Sequence, residues 1–207
     1  MYSLQHPPPF LDSGSHGTYK TDGSSMALLK VLVFLALIAQ GGAAFAQQGT
    51  TGSTNRAADI TASDIQAAIA QAIAKDPTRP PDTPLRTIDG GGAHVVGIVV
   101  THRPKGIVAG GGGGTHEKVT EVYHVLEGSA TLVTDGTIVN ARPTEGGQYG
   151  PGVNGDSIER QVSRRIAKGD TVIIPPHVPH RLTEVHEDVT ILIITIDPER
   201  VIKLRPQ

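Results

Sequence analysis

Between residues 93 and 196 the sequence divides into short extended runs that are separated by turn-forming residues, with no helical pattern between them. The predicted strands are 93–101, 121–126, 130–134, 138–141, 162–166, 171–174 and 189–196. Asp135-Gly136 lies between two of these runs and predicts a two-residue hairpin turn of type I′. The stretch 145–157 is polar and glycine-rich and is predicted to be a loop. Short strands without intervening helices, and without an internal repeat, predict one all-β barrel.

Composition excludes several classes of site. The 207-residue chain has no cysteine, so disulfides, thiolate metal sites and cysteine nucleophiles are impossible. The formal net charge of -2 predicts no broad basic surface for nucleic acid. No G-x-S-x-G segment occurs, and no G-x-G-x-x-G segment lies between a strand and a helix. Serine hydrolase and nucleotide-binding functions therefore find no support.

The N-terminal part of the chain predicts export. Lys30 is followed by a nine-residue apolar run (31–39) and then by small residues that end in Ala44-Phe45-Ala46. This order is typical of a secretory signal peptide over residues 26–46, and the run is shorter than the roughly 20 residues that span a bilayer. A buried core helix is the alternative. The mature chain is expected in the periplasm or outside the cell, with no membrane association.

Residues 1–25 precede this signal and are polar, rich in proline and glycine, and without periodicity. Translation is expected to start at Met26, with a disordered leader as the alternative. Residues 1–46 together are therefore predicted to be absent from the mature protein.

Residues 47–84 are predicted to be a flexible segment that contains one short helix over 63–75. Ser63, followed three residues later by Gln66, resembles a capping box, and Thr61 is a second cap candidate. One helix face carries isoleucine at every fourth position: Ile65, Ile69 and Ile73. A proline-rich link over 76–84 follows.

Two groups of residues with metal-ligand chemistry lie on the predicted strands. His116 and Glu121 precede Gly128, and a second unit, "GDTVIIPPHVPH", ends in His180. These segments resemble the two motifs of the cupin superfamily, G-x5-H-x-H-x3,4-E-x6-G and G-x5-P-x-G-x2-H-x3-N. Gly169 and Pro175 match the second motif in the expected order. The resemblance covers residues 90–197 and implies a cupin-type double-stranded β-helix (a jelly-roll barrel) over 85–207, with the one helix N-terminal to it.

The chain departs from both motifs. Gly114 stands where the first motif has its first histidine, His177 replaces the glycine of the second, and Glu184 replaces its asparagine. The resemblance therefore implies three metal ligands: His116, Glu121 and His180. Two imidazoles and one carboxylate form the donor set of the iron(II) facial triad, and the same set could hold manganese, nickel or zinc.

Another donor could replace the one missing at Gly114. His102 ends a predicted strand and could reach inwards, and water is the alternative. Strand parity places His124 on the face opposite to Glu121, so it is not expected to be a ligand. His177 is expected to be a turn residue at the rim of the barrel.

Two residues near the predicted ligands are candidates for catalysis. Tyr123 shares the face of Glu121 and could donate a hydrogen bond or a proton to a substrate, or simply be a packed core tyrosine. Lys118 could bind an anionic group of a substrate, or be a solvated loop lysine. Three arginines are expected to be exposed charges unless a pocket opens towards them: Arg164, Arg165 and Arg181.

The five glycines at 110–114 do not form a phosphate-binding loop, because no Lys-Ser/Thr pair and no helix follow them. They predict a flexible loop at the mouth of the barrel. Glycine at position 114 is also expected to leave room beside the metal.

These features predict an exported single-domain cupin with one divalent metal ion and a small-molecule ligand. A metal-dependent oxidoreductase or isomerase is favoured, and a non-catalytic ligand-binding or metal-binding module is the alternative. An empty barrel is less favoured, because a buried carboxylate such as Glu121 is costly without a cation. The strand 189–196 is apolar on both faces, which predicts a homodimer.

Overall fold

The structure is a computed structural model that describes residues 57–107 and 112–203. Within these ranges it contains one helix and eleven strands, so the all-β class with one short helix is confirmed. The elements are α1 (Ala62–Lys75), β1 (Thr83–Asp89), β2 (Val95–Arg103), β3 (Gly114–His116), β4 (Thr120–Thr134), β5 (Thr137–Val139), β6 (Arg142–Glu145), β7 (Pro151–Asn154), β8 (Ser157–Glu159), β9 (Val162–Ala167), β10 (Thr171–Ile174) and β11 (His180–Asp197). No helix in the described ranges is both long enough and apolar enough to cross a membrane.

Some predictions concern residues outside these ranges. The signal peptide, the leader that precedes it and part of the glycine run (110–111) all lie outside the described residues. They remain predictions.

Helix α1 begins one residue before its predicted start. Its cap is Thr61, whose Oγ1 accepts a hydrogen bond from the backbone N–H of Asp64, while the Asp64 carboxylate accepts one from the N–H of Thr61. The capping box therefore uses this pair and not Ser63 with Gln66. The helix packs on β1 and β2, with Ala68 and Ala72 buried.

Strands β4 and β11 form the long antiparallel centre of the fold. β11 pairs with β2 on one side and with β4 on the other, and β4 continues to β10 and β9. The sequence predicts two strands, 121–126 and 130–134, where β4 is continuous, because a glycine such as Gly128 is typical of a strand end. Gly128 instead lies within the strand at φ 71°, and a Cβ atom there would lie 1.9 Å from the carbonyl oxygen of Asp188. Four register shifts bend this β4–β11 ladder.

The prediction of a hairpin at Asp135-Gly136 is wrong. Both residues have positive φ values, 65° and 84°, as a type I′ turn requires. The strand after the turn, β5, nevertheless pairs with β8 and not with β4. Thr134, the last residue of β4, already has a partner on each side, Val162 and His180. The turn signal was read correctly, but it does not specify which strands pair.

Five strands occur where none was predicted: β1, β3, β6, β7 and β8. β7 lies inside the predicted loop 145–157 and pairs with β3 and β6. β1 begins inside the proline-rich link, with Pro84 as its second residue. Because β1 is the edge of the sheet and pairs only with β2, a proline there removes no essential ladder bond.

Alternation along the central strands separates the inside of the barrel from its outside. On β4, Glu121, Tyr123 and Val125 are buried, and Val122 and His124 face outwards and are partly exposed. The inward residues of β2, β4, β9, β10 and β11 form one apolar core that includes Val99, Leu132, Ile166, Ile174 and Ile191. The polar residues Glu121 and His180 lie at one end of this core.

Candidate metal centre

The three predicted ligands meet in one cluster. His116 ends β3, Glu121 is the second residue of β4, and His180 is the first residue of β11. One ligand atom from each lies within 4.8 Å of the others, and no second such group of three occurs among the described residues. The structure thus brings together residues that are up to 64 positions apart in the chain.

Glycines allow the short strand β3 to reach this cluster. His116 pairs with Gly152 of β7, where a Cβ atom would lie 2.1 Å from the carbonyl oxygen of Thr115. On the other side Gly114 pairs with His180. The backbone carbonyl of His116 also accepts a hydrogen bond of 2.8 Å from the N–H of His177, which has φ 66°. His177 is therefore a turn residue that holds the backbone of a ligand.

Glu121 is the centre of the cluster. Only 1% of its surface is exposed, and its Oε2 lies 2.9 Å from Nε2 of His180 and 3.5 Å from Nε2 of His116. His180 Nδ1 lies 3.0 Å from the carbonyl oxygen of Val178, so the proton of a neutral His180 is assigned to Nδ1. Its Nε2 then presents a lone pair to Glu121, and Oε2 is left buried without a hydrogen-bond donor. A cation between these atoms removes the cost of burying that charge, so the residues fit a metal ion.

In the absence of a cation, a proton can take its place between Glu121 and His180. Burial lowers the pKa of His180, but the hydrogen bond to Glu121 and the charge of that carboxylate outweigh it, and the net result is a raised pKa. For His116 burial dominates over the attraction of Glu121, and its pKa is lowered. A neutral imidazole is the form that binds a metal ion.

The position of the missing histidine is filled by another side chain. A Cβ atom at Gly114 would lie 2.2 Å from Oδ1 of Asn154, its partner on β7. Gly114 was expected to leave open room beside the metal. That expectation is wrong for the position of a Cβ atom at residue 114, which the Asn154 side chain occupies. Asn154 was not singled out from the sequence, because strand β7 was read as loop.

His102 and His124, the two other strand histidines considered as ligands, do not join the cluster. His102 shares a hydrogen bond of 3.0 Å with Thr190, on the face opposite to its buried neighbour Thr101. Strand parity, which was applied to His124 but not to His102, would have excluded both. His124 points away from Glu121 as predicted, and it shares a 3.0 Å hydrogen bond with Thr171.

The two catalytic candidates have different surroundings. Tyr123 is buried, and its ring packs edge-on against His180 with the ring centroids 6.0 Å apart. Burial, followed by the Glu121 carboxylate, raises its pKa well above the ordinary value, so its hydroxyl stays protonated. Lys118 forms an exposed ion pair of 3.0 Å with Glu199 and is not brought to the cluster.

Two of the three arginines are also placed by hydrogen bonds. Arg164 donates to Oγ1 of Thr134, the cross-strand partner of His180, so it lies on the inward face although it is exposed. Arg165 donates to Ser129 from the outward face.

A group of residues that sequence reasoning missed lies beside His116. The ring of Tyr149 packs against the His116 ring with centroids 5.0 Å apart, and its hydroxyl donates to Asp82 at 3.2 Å. Asp82 also accepts from Thr101 and from Arg103. One signal was available: Tyr149 is the only aromatic residue in an otherwise polar, glycine-rich stretch.

A cavity of about 470 Å³ lies next to this group but contains none of the three ligands. It lies between β1, β2 and the segment that joins β6 to β7, with Gln148 and Gly150 among its lining residues. These two flank Tyr149, whose ring is directed to His116 instead. The three predicted ligands therefore lie outside this cavity.

No protein-family model and no curated protein matches the chain. Several solved structures are similar to it. A conserved protein of unknown function from Streptococcus pyogenes is 23% identical over 50% of this chain and 66% of its own, with a TM-score of 0.34. Oxalate decarboxylase from Bacillus subtilis is 16% identical over 50% of this chain and 21% of its own, with a TM-score of 0.34. The DMSP lyase DddQ from Ruegeria pomeroyi is 18% identical over 61% of this chain and 51% of its own, with a TM-score of 0.39.

The chain thus spans less than two thirds of the length of each of these structures. What they bind or catalyse is a property of those proteins. The assignment of a metal centre here depends on the residues of this chain.

Proposed function

From the cupin fold of this chain, with the ligands of both motifs in one cluster, we propose an exported cupin that holds one divalent metal ion and acts on a small oxygen-bearing substrate. The ligands are His116, Glu121 and His180. One observation carries the proposal: Oε2 of Glu121 is buried without a hydrogen-bond donor, between two imidazole nitrogens. Iron, manganese, nickel and zinc all suit this donor set.

When bound, such an ion supplies a Lewis acid that can polarise a substrate oxygen, which suits dioxygenase-like or isomerase-like chemistry. The protein residues do the rest. Glu121, His116 and His180 would hold the ion, and Glu121 and His180 are buried beside the apolar core. The Tyr123 hydroxyl has no hydrogen-bond partner among the described residues, and its raised pKa keeps it a donor. Tyr123 is therefore the residue proposed to hydrogen-bond the substrate.

A non-catalytic metal-binding or ligand-binding module is the second candidate. It is favoured by the position of Lys118, one of the two predicted catalytic residues, which is paired with Glu199 on the surface. It is also favoured by Asn154, which covers the place of the missing ligand.

Access to the metal distinguishes the two candidates. The test loads the mature protein with cobalt(II) and titrates it with azide, a small anion that binds open metal positions. A saturable change in the visible spectrum supports the enzyme, because a substrate could then reach the ion. An unchanged spectrum supports a closed, non-catalytic centre. Tyr123→Phe should leave azide binding intact, because it removes only the hydroxyl that is proposed to contact the substrate.

Export is proposed from the sequence of residues 26–46. Expression of the full chain in a Gram-negative host should give a mature protein that begins at Gln47 and is found in the periplasm or medium. Intact mass measurement identifies the new N-terminus. Retention of the full chain in the cytoplasm would contradict export.

We also propose that the mature protein is a homodimer that pairs through the outward face of the central sheet. Ile173, Val122 and Ile194 form a continuous apolar row across β10, β4 and β11. The row continues to Ile98, which is buried, while Ile173 is 66% exposed. An apolar row that is covered at one end and exposed at the other is suited to a second copy of the chain.

A further inference from the structure

We propose that Tyr149 is a positioning residue for His116: its ring fixes the orientation of the His116 imidazole for metal binding, and Asp82 holds the tyrosine in place. This inference rests on the proposed function, since it requires His116 to be a metal ligand. Tyr149 does not touch the ion in this account and acts only through His116.

The two ligand histidines are held in different ways. His180 has a hydrogen bond from Nδ1 to the carbonyl oxygen of Val178, which fixes both its tautomer and its ring. No described residue forms a hydrogen bond with Nδ1 of His116. Its ring contacts the ring of Tyr149 instead, with centroids 5.0 Å apart and planes inclined by 33°. Because ligand histidines need a partner that orients the ring, Tyr149 takes the role that Val178 has for His180.

Tyr149 is itself fixed by a polar network that begins at the inward face of β2. Its hydroxyl donates to Oδ2 of Asp82 at 3.2 Å. Oδ1 of Asp82 accepts 2.6 Å and 2.5 Å hydrogen bonds from Thr101 and Arg103. Arg103 also donates to the carbonyl oxygen of Pro80 at 2.6 Å, so the link before β1 is part of the network. The Arg103–Asp82 pair is largely shielded from water, with side chains 16% and 27% exposed.

The backbone around Tyr149 could not hold the ring by itself. Three glycines in its segment have φ values in the left-handed region: Gly146 at 116°, Gly147 at 112° and Gly150 at 69°. Nothing lies within 4 Å of a Cβ atom at Gly146 or Gly147, so this part of the segment is not packed. The hydrogen bond to Asp82 and the packing of Tyr149 against the apolar core therefore supply the restraint. The same segment leads directly into β7, whose Gly152 is the backbone partner of His116.

The test compares Tyr149→Leu, which removes the ring, with two variants that keep it. Tyr149→Phe removes the hydroxyl and its hydrogen bond, and Asp82→Asn removes the charge of the acceptor and so weakens that hydrogen bond. Tyr123→Leu is the matched control, because Tyr123 packs on a ligand histidine that has its own hydrogen bond. Metal affinity is measured by competition with a chelator, and the cobalt(II) spectrum reports ligand geometry. Circular dichroism and thermal unfolding establish that each variant is folded.

Tyr149→Leu should weaken metal binding by about 10- to 100-fold and change the cobalt(II) spectrum. Tyr149→Phe and Asp82→Asn should lose less metal affinity than Tyr149→Leu. The metal affinity of Tyr123→Leu should stay within about threefold of that of the unmodified protein, which is a smaller change than the loss of an orienting partner causes. A lower unfolding temperature with unchanged affinity and spectrum in all Tyr149 and Asp82 variants would overturn the inference, because Tyr149 would then be only structural.

Three further outcomes are informative. If Tyr149→Leu does not fold, the affinities of Tyr149→Phe and Tyr123→Phe decide, and equal values overturn the inference. If the unmodified protein binds no metal, the proposed function fails and this inference fails with it. Unmodified protein that binds metal while its Tyr149 variants bind equally well overturns the inference alone.

Discussion

Glu121 and His180 lie at opposite ends of one antiparallel ladder, yet Oε2 of the first is 2.9 Å from Nε2 of the second. In the register of β4 with β11, His180 is opposite Thr134, and Glu121 is opposite Thr195. On a flat ladder the two ends would be about 40 Å apart at the usual rise per residue. The ladder must therefore curl back on itself, and the metal centre forms where its ends meet.

The first prediction concerns the bend in this ladder. Gly128→Ala should lower the free energy of unfolding by about 1–3 kcal/mol or more, because alanine is strained at φ 71° and its Cβ atom meets the backbone of Asp188. Metal binding should weaken as well, since the bend brings the two ends together. Chemical denaturation and chelator competition measure the two effects.

Gly106→Ala is the control for the glycine conformation alone. Gly106 has φ 80°, and nothing lies within 4 Å of its Cβ position. The Gly106→Ala variant should be less stable than the unmodified protein but should bind metal with the same affinity. Equal metal affinity in both variants would show that the centre does not depend on the bend at Gly128.

The second prediction concerns the missing histidine. Gly114→His should destabilise the protein by about 1–3 kcal/mol, because the new side chain meets Asn154 and the carbonyl oxygen of Val153. Combination with Asn154→Gly should recover part of that loss and allow the histidine to bind the metal more tightly. Thermal unfolding and metal affinity of the two single variants and the double variant measure this coupling. Strictly additive effects would contradict the steric account.

The third prediction concerns the apolar row on the outside of the sheet. The mature chain should be a dimer at micromolar concentration, and Ile173→Asp should make it a monomer without unfolding it, because Ile173 is 66% exposed. Val162→Asp is the matched control, since Val162 is 52% exposed but lies on β9, outside the row. Size-exclusion chromatography with light scattering distinguishes the states. A monomeric unmodified chain would contradict the proposed dimer.

The fourth prediction concerns pH. The hydrogen bond from Arg200 lowers the pKa of Asp89 to about 2, from 3.8. Because the folded pKa is the lower one, the charge of Asp89 contributes stability that is present above about pH 4 and lost as the pH falls towards 2. Asp89→Asn should therefore lower the urea midpoint slightly at pH 7, and the difference should shrink between pH 4 and pH 2.

Arg200→Gln provides the control for this pH dependence. In the Arg200→Gln background, Asp89→Asn should change the urea midpoint much less at pH 7, because the carboxylate has already lost its partner. A difference between Asp89→Asn and the unmodified chain that is constant from pH 7 to pH 2 would contradict the assignment.

Much of the fold could be predicted from the sequence because short extended runs are separated by residues that favour turns. The cluster of His116, Glu121 and His180 could be predicted because two segments that resemble the cupin motifs hold these residues at fixed spacings, and parity correctly placed His124 on the outward face. These signals are local, and each reports the backbone or the face of its own segment.

What could not be predicted depends on partners that are distant in the chain. Asp135-Gly136 specifies a turn, but the partners of Thr134 determine that no hairpin forms. β7 pairs with β3 through residues that look like a loop, and Tyr149 approaches His116 only because of that pairing. Asn154 occupies the place beside Gly114 for the same reason.

The most direct test of the metal centre is the metal content of the mature chain, residues 47–207, by elemental mass spectrometry. We expect about one equivalent of iron, manganese, nickel or zinc. The metal should be lost in His116→Ala, Glu121→Gln and His180→Ala and kept in His124→Ala. Absence of metal after reconstitution with each of these ions, or full retention of metal in the three ligand variants, would contradict this expectation.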